Sequence, residues 1–167
     1  KRTRKEHRFN LYKRLLIAEN KGDIIEQLDS DTYKILDCSH NPNELTYEWD
    51  RRGLVYGHVQ SGKTANYVGL INRAFDAGYK IVIVFTGVTE DLRVQTQKRI
   101  SHGIVGYNRN VLIGIGKQSD FNSLERIIPA TTEERDLSKD DHILQNIVTT
   151  NNKSIWVIKK NKTVLEN

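Results

Sequence analysis

The stretch Gly57-His58-Val59-Gln60-Ser61-Gly62-Lys63-Thr64 fits the phosphate-loop pattern G-x-x-x-x-G-K-[ST] at every fixed position. Its flanks agree with that reading. Arg52 to Tyr56, ending in the apolar run Leu54-Val55-Tyr56, reads as a buried strand. Lys63 to Ala77 reads as a helix with Val68, Ile71, Ala74 and Phe75 on one side, closed by Gly78. Strand, glycine-bracketed loop and helix form the context that the motif requires.

Each position of the loop has a physical task. Gly57 and Gly62 permit backbone angles and a close approach that a side chain forbids. The main-chain N–H groups of residues 58–64 can then converge on a β-phosphate, which makes Gly57, His58, Val59, Gln60, Ser61, Gly62, Lys63 and Thr64 the expected nucleotide-binding set. The helix beginning near Lys63 adds its positive end. Lys63 brings a full charge to the β- and γ-phosphates, and the Thr64 hydroxyl suits Mg²⁺. ATP and Mg²⁺ are therefore the expected cofactors, with Lys63 and Thr64 the expected catalytic groups. His58 can touch phosphate but is assigned no proton transfer, and Gln60 is not a fixed position of the motif.

Working toward the C-terminus, Ile81-Val82-Ile83-Val84-Phe85 is a continuous, mainly β-branched run, the pattern of a strand buried on both faces of a parallel sheet. With the strand before the loop it predicts a right-handed crossover unit. Thr86-Gly87 leaves that strand at its carboxyl end. Thr89 is the expected N-cap of a helix with Glu90 and Asp91 in its first turn. Leu92, Thr96 and Ile100 are expected on its inner face, with Arg93, Gln97 and Lys98 turned away. Val111 to Ile115 and Ile155 to Ile158 are further strand candidates. Residues 116–154 read as a polar excursion with short helices, and 163–167 as the start of another helix.

Toward the N-terminus the pattern is helical. Residues 1–8 are a charged run, read as a solvated helix start or a loose end rather than a DNA-binding arm. Phe9, Tyr12, Leu15 and Leu16 share one face of a helix that ends near Asn20-Lys21-Gly22, with Gly22 as the left-handed cap. A second helix is expected with Ile24, Ile25 and Leu28 inward, and a third with Tyr33, Ile35 and Leu36. Trp49 is expected to pack in the core rather than stack on a base. The predicted organisation is a helical extension over 1–48 and a phosphate-loop α/β domain over 49–167.

Composition narrows the class. The net charge of the 167 residues is +5. Residues 51–116 hold 9 Lys and Arg against 3 Asp and Glu, whereas residues 1–50 hold 9 against 10 and residues 117–167 hold 8 against 8. The surplus around the loop fits attraction to phosphates, of a nucleotide or of a nucleic-acid backbone. One cysteine, Cys38, excludes an internal disulfide and a cysteine metal cluster, and fits a cytoplasmic protein. No apolar run approaches the roughly 20 residues that span a membrane. The absence of methionine, and an end within what reads as a nascent helix, lead us to expect a piece of a longer protein.

Hydrolysis needs an acidic group to hold Mg²⁺ and orient water at the end of another apolar strand. Glu90-Asp91, Glu133-Glu134 and Asp140-Asp141 are the adjacent acidic pairs from the loop onward, and none follows a buried strand. The chain is thus expected to bind nucleotide without a complete hydrolytic site. A small-molecule kinase, a regulatory NTPase switch and a non-hydrolysing nucleotide-binding module stay open beside a motor.

The stretch GLVYGHVQSGKTANYVGLINRAFDAGYKIVIVFTGVTEDLRVQTQKRI resembles the first half of the Z-one domain, an endonuclease-labelled family of bacteria and their mobile elements. The likeness runs through residues 49–106, with Val157-Ile158-Lys159-Lys160-Asn161 matching again within 155–167. The resemblance implies a RecA-like P-loop core, three αβα layers around a mainly parallel sheet, related to superfamily-two helicases. It implies a larger protein of restriction or phage defence, with the acidic motif beyond Asn167. It also implies that Thr86, Gly87, Arg93 and Gln97 contact a nucleic-acid backbone, where small hydroxyl, amide and basic groups are suited. DNA is then the expected partner. A nuclease centre would need clustered carboxylates beside a lysine around Mg²⁺, and no such arrangement is evident in the sequence.

Overall fold

A computed structural model describes residues 6–44, 50–56, 62–137 and 152–161 of the chain. The chain divides into two compact units, Lys1–Tyr79 and Lys80–Asn167. The phosphate-loop helix therefore groups with the N-terminal helices.

The first unit is helical. Helices α1 (His7–Ala18), α2 (Ile25–Asp37) and α3 (Lys63–Ala77) pack on one another, with α3 touching both others. Burial of Phe9, Leu11, Tyr12, Leu15 and Leu16 on α1, of Leu28 and Leu36 on α2, and of Val68, Ile71 and Phe75 on α3 drives the association. Residues 25–37 form one continuous helix where two were expected, led in by a 3₁₀ turn, Gly22–Ile24. Its buried stripe is Leu28, Thr32 and Leu36, and Tyr33 faces outward. The expected cap at Gly22 is instead Asn20, which takes φ 58°. The Asp76 carboxylate of α3 accepts hydrogen bonds from the Arg8 and Phe9 amides (3.1 and 3.0 Å), satisfying N–H groups that the start of α1 leaves without helical partners.

One charged and one amide side chain shape this unit. Arg73 on α3 is 1% exposed. Its guanidinium bridges Glu6 and Asp29 and lies 3.8 Å from the centre of the Phe9 ring. Asn43 Nδ2 donates to the Ala77 carbonyl (3.1 Å) and so satisfies an end group of α3, where Gly78 terminates the helix.

The second unit is built on a parallel sheet of β1 (Ile81–Thr86), β4 (Ile127–Pro129) and β5 (Lys153–Lys159), in the order β1-β5-β4. Helix α4 (Glu90–Ile100) follows β1, and a π-helical turn, Ser101–Val105, continues it. A short antiparallel hairpin comes next, β2 (Tyr107–Asn108) and β3 (Val111–Leu112), with Arg109 and Asn110 both at positive φ in its two-residue turn. The compactness there is enforced at Gly116, where an added Cβ would lie 1.8 Å from the Gly106 carbonyl oxygen.

Three strand expectations change. Residues 52–56 are irregular and exposed, with Leu54 92% exposed, so among the described residues no strand precedes the phosphate loop to form the predicted crossover unit. Ile81 to Phe85 does form a strand, but at the sheet edge, with Ile81, Ile83 and Phe85 about half exposed; among the described residues β1 pairs only with β5. The central, buried strand is β5, which carries Ile155 and Val157 at the core. Val111 to Ile115 shortens to the two-residue β3 because Gly114–Lys117 turns into a 3₁₀ helix. Within the stretch read as excursion, Phe121–Ser123 is the short 3₁₀ turn anticipated, while β4 was not foreseen. The helix expected over 163–167, Trp49 and most of the charged N-terminal run lie outside the described residues.

Candidate functional site

Of the phosphate-loop residues, Gly62, Lys63 and Thr64 are described; Gly57, His58, Val59, Gln60 and Ser61 lie outside the described residues. Gly62 adopts φ 75°, a left-handed conformation that the motif's second glycine was expected to supply. Helix α3 starts at the next residue, and the first turn closes with a hydrogen bond from the Asn66 amide to the Gly62 carbonyl (3.1 Å). No acidic residue stands in that turn, so nothing there offsets the positive helix end. Lys63 is exposed and Thr64 half-buried. This end of the loop brings a helix start, a lysine and a hydroxyl into consecutive positions.

The second candidate set is placed differently. Thr86 ends β1, and its hydroxyl donates to the Ile158 carbonyl of the neighbouring strand (3.3 Å) and the Gly87 carbonyl (3.1 Å). Gly87 is exposed, with Leu92 packed so closely that a Cβ would lie 2.5 Å from its Cδ1. Thr89 precedes α4 in an extended conformation, as expected of a cap, although its side chain makes no capping bond.

The faces of α4 depart from expectation at Leu92, Arg93 and Gln97, while Ile100 is buried and Lys98 exposed as expected. Arg93, Gln97 and Ile100 are buried, and Leu92 is 47% exposed. The Arg93 guanidinium donates to the carbonyls of Thr132 (2.6 Å) and Glu133 (2.8 Å), and its Nε donates to Glu90 (2.8 Å). Gln97 Oε1 accepts from the Thr131 hydroxyl (2.8 Å), which in turn accepts from the Val157 amide of β5 (2.9 Å). Both side chains tie the 131–136 segment to α4, and both are buried rather than presented to a nucleic-acid backbone. The physical reason is the loop: its inward carbonyls need donors, and a guanidinium supplies several in one plane.

At the carboxyl ends of β1 and β5 the fold assembles a charge cluster that sequence spacing did not reveal. Lys159 Nζ lies 2.6 Å from Glu90 and 3.6 Å from Asp136, and Arg93 lies 3.8 Å from Asp136. The hydrogen bond from Arg93, reinforced by that from Lys159, holds the Glu90 carboxyl down to about 2 from an ordinary 4.5. The same pairing with Glu90 raises the Lys159 ammonium above its usual range. The two carboxylates are thus matched by two cations. Among the described residues no group of three or more His, Cys, Asp or Glu is placed to hold a metal ion, and Asp140-Asp141 lies outside them. No helix among the described residues is long and apolar enough to cross a membrane.

With this geometry the chain was compared with known proteins: no family model, no curated protein and no solved structure matches it.

Proposed function

We propose that the chain is the ATP-binding portion of a DNA-directed, helicase-like ATPase with a RecA-like core, of the Z-one type, working in the cytoplasm in restriction or phage defence. The reading rests on one observation: GHVQSGKT, whose second glycine is left-handed and whose lysine opens a 15-residue helix. Lys63 and Thr64 then serve the β- and γ-phosphates and Mg²⁺. ATP binding to the chain should be abolished by Lys63→Ala, measured by calorimetry with Mg²⁺ present. Unchanged affinity in a folded variant overturns the assignment.

The DNA part of the reading now leans on Thr86 and Gly87 and on the basic surplus of residues 51–116, since Arg93 and Gln97 have interior duties. A second reading, nucleotide binding without turnover, is favoured by the cluster around Lys159. Glu90 and Asp136 flank Lys159 at the end of β5, and each carboxylate already faces a cation. ATP hydrolysis by this chain, stimulated by DNA, would exclude that second reading.

A further inference from the structure

A cleft of about 300 Å³ opens in the sheet unit, between the β2–β3 hairpin and the 121–126 segment. That is the low end of the range of about 300–1,000 Å³ for ligand pockets, room for one ring system rather than an extended ligand. Two aromatic residues, Tyr107 and Phe121, line it, and so do Asn110 and Asn122.

The walls are held from behind. The Tyr107 hydroxyl donates to the Ile127 carbonyl (3.2 Å), and the Arg126 guanidinium lies 4.4 Å from the centre of the Tyr107 ring. Phe121 rests against Gly106, where a Cβ would come within 2.4 Å of its Cζ. The hairpin is fastened on its other side: Asn108 donates to Glu133 (2.8 Å) and Arg109 pairs with Glu134. Glu125, also in the lining, is engaged by Lys153 (2.8 Å). By contrast, neither the Asn110 nor the Asn122 side chain has a protein partner among the described residues.

Aromatic walls, two open amides that each offer a donor and an acceptor, and a flanking guanidinium suit a flat heteroaromatic ring with a hydrogen-bonding edge. We propose that this cleft is a nucleobase pocket, in which Tyr107 and Phe121 pack on the base while Asn110 and Asn122 bond its edge. The base can come from a free nucleoside or from an unpaired position of a single strand. The pocket does not rest on the phosphate-loop assignment.

The first arm uses phosphate-free nucleosides, so that the loop is not engaged, and the second uses a strand, with Lys63→Ala as the control for its phosphodiesters. Adenosine, cytidine and thymidine, and in a second arm single-stranded hexathymidylate, are titrated into ¹⁵N-labelled protein while the side-chain amides of Asn110 and Asn122 are followed. Saturable shifts of both amides are expected with at least one nucleoside. Asn122→Trp, which fills the cleft from an exposed position, should weaken binding at least about tenfold, and Phe121→Leu, which keeps bulk but loses the ring face, about fivefold or more. Lys63→Ala should leave the shifts intact. Shifts with nucleosides alone assign the pocket to free ligands, and shifts in both arms extend it to strands. Shifts with the strand alone confine the pocket to strands, while no shifts in either arm, or full affinity in a folded Asn122→Trp variant, overturn the proposal.

Discussion

Each unit of this protein is built around a buried arginine, and the two are satisfied in opposite ways. Arg73, in the helical unit, is 1% exposed and is met by side chains: Glu6 and Asp29, both partly exposed, and the face of Phe9. Arg93, in the sheet unit, is fully buried and is met chiefly by main chain, the carbonyls of Thr132 and Glu133, with Glu90 as its carboxylate. The first arrangement joins three helices through groups that water can still reach. The second fixes the course of a loop whose carbonyls have few other donors. Burial of the same side chain therefore means different things: charge pairing in one unit, backbone satisfaction in the other.

That contrast is open to direct attack. Arg93→Met should be the most damaging change, costing about 3–5 kcal/mol, because it removes at once the donors to the Thr132 and Glu133 carbonyls. Arg73→Met should cost less, about 1–3 kcal/mol, since Glu6 and Asp29 can rehydrate where they stand. Urea denaturation of both variants gives the order, and equal losses would erase the distinction. The lysine variants sharpen it: Arg73→Lys should recover part of the loss by pairing with one carboxylate, whereas Arg93→Lys should recover little, as an ammonium lacks the planar fork.

Smaller effects separate the units further. Gln97→Leu breaks the chain from α4 through Thr131 to Val157 and should cost about 1–2 kcal/mol, seen as faster hydrogen exchange at Val157. Asp76→Ala removes the cap of α1 and should cost about 1 kcal/mol, seen at the Arg8 and Phe9 amides.

The smallest effect is a pH dependence. Glu90 titrates lower in the folded protein, so its contribution is present above pH 4.5 and is lost as pH falls toward about 2. Half exposed, it should add only a shallow slope, which Glu90→Gln removes. A slope unchanged by that substitution would place the acid sensitivity elsewhere.

Local signals were legible in the sequence and long-range ones were not. The ends of α3, at Gly62 and Gly78, and the start of α4 after Thr89 could be read because one or two residues decide them. The strand character of residues 81–85 and 155–158 was equally evident, yet which of them is central was not: β-branched content reports the pleat, whereas a strand's neighbours depend on the whole chain. Leu54-Val55-Tyr56 is as apolar as many strands, but it has no ladder partner among the described residues. The inner face of α4 was misread because periodicity counts apolar side chains, and here the packed face carries Arg93 and Gln97. What turned it is the 131–136 segment, nearly forty residues away in sequence. β4, only three residues long and ending in Pro129, is shorter than any period can reveal.

Helix α3 carries a consequence for measurement. Its first turn closes the phosphate loop, and its remaining turns support α1 and α2, with Asp76 near its far end gripping the first amides of α1. A ligand held by Lys63 and Thr64 binds only when that helix exists. Ligand at a hundred times its dissociation constant would therefore add about 2.7 kcal/mol to the stability of the helical unit by mass action. The amides of residues 8 and 9, far from the loop in sequence, become reporters of its occupancy: their exchange should slow as nucleotide is added, giving a binding isotherm without any label on the ligand.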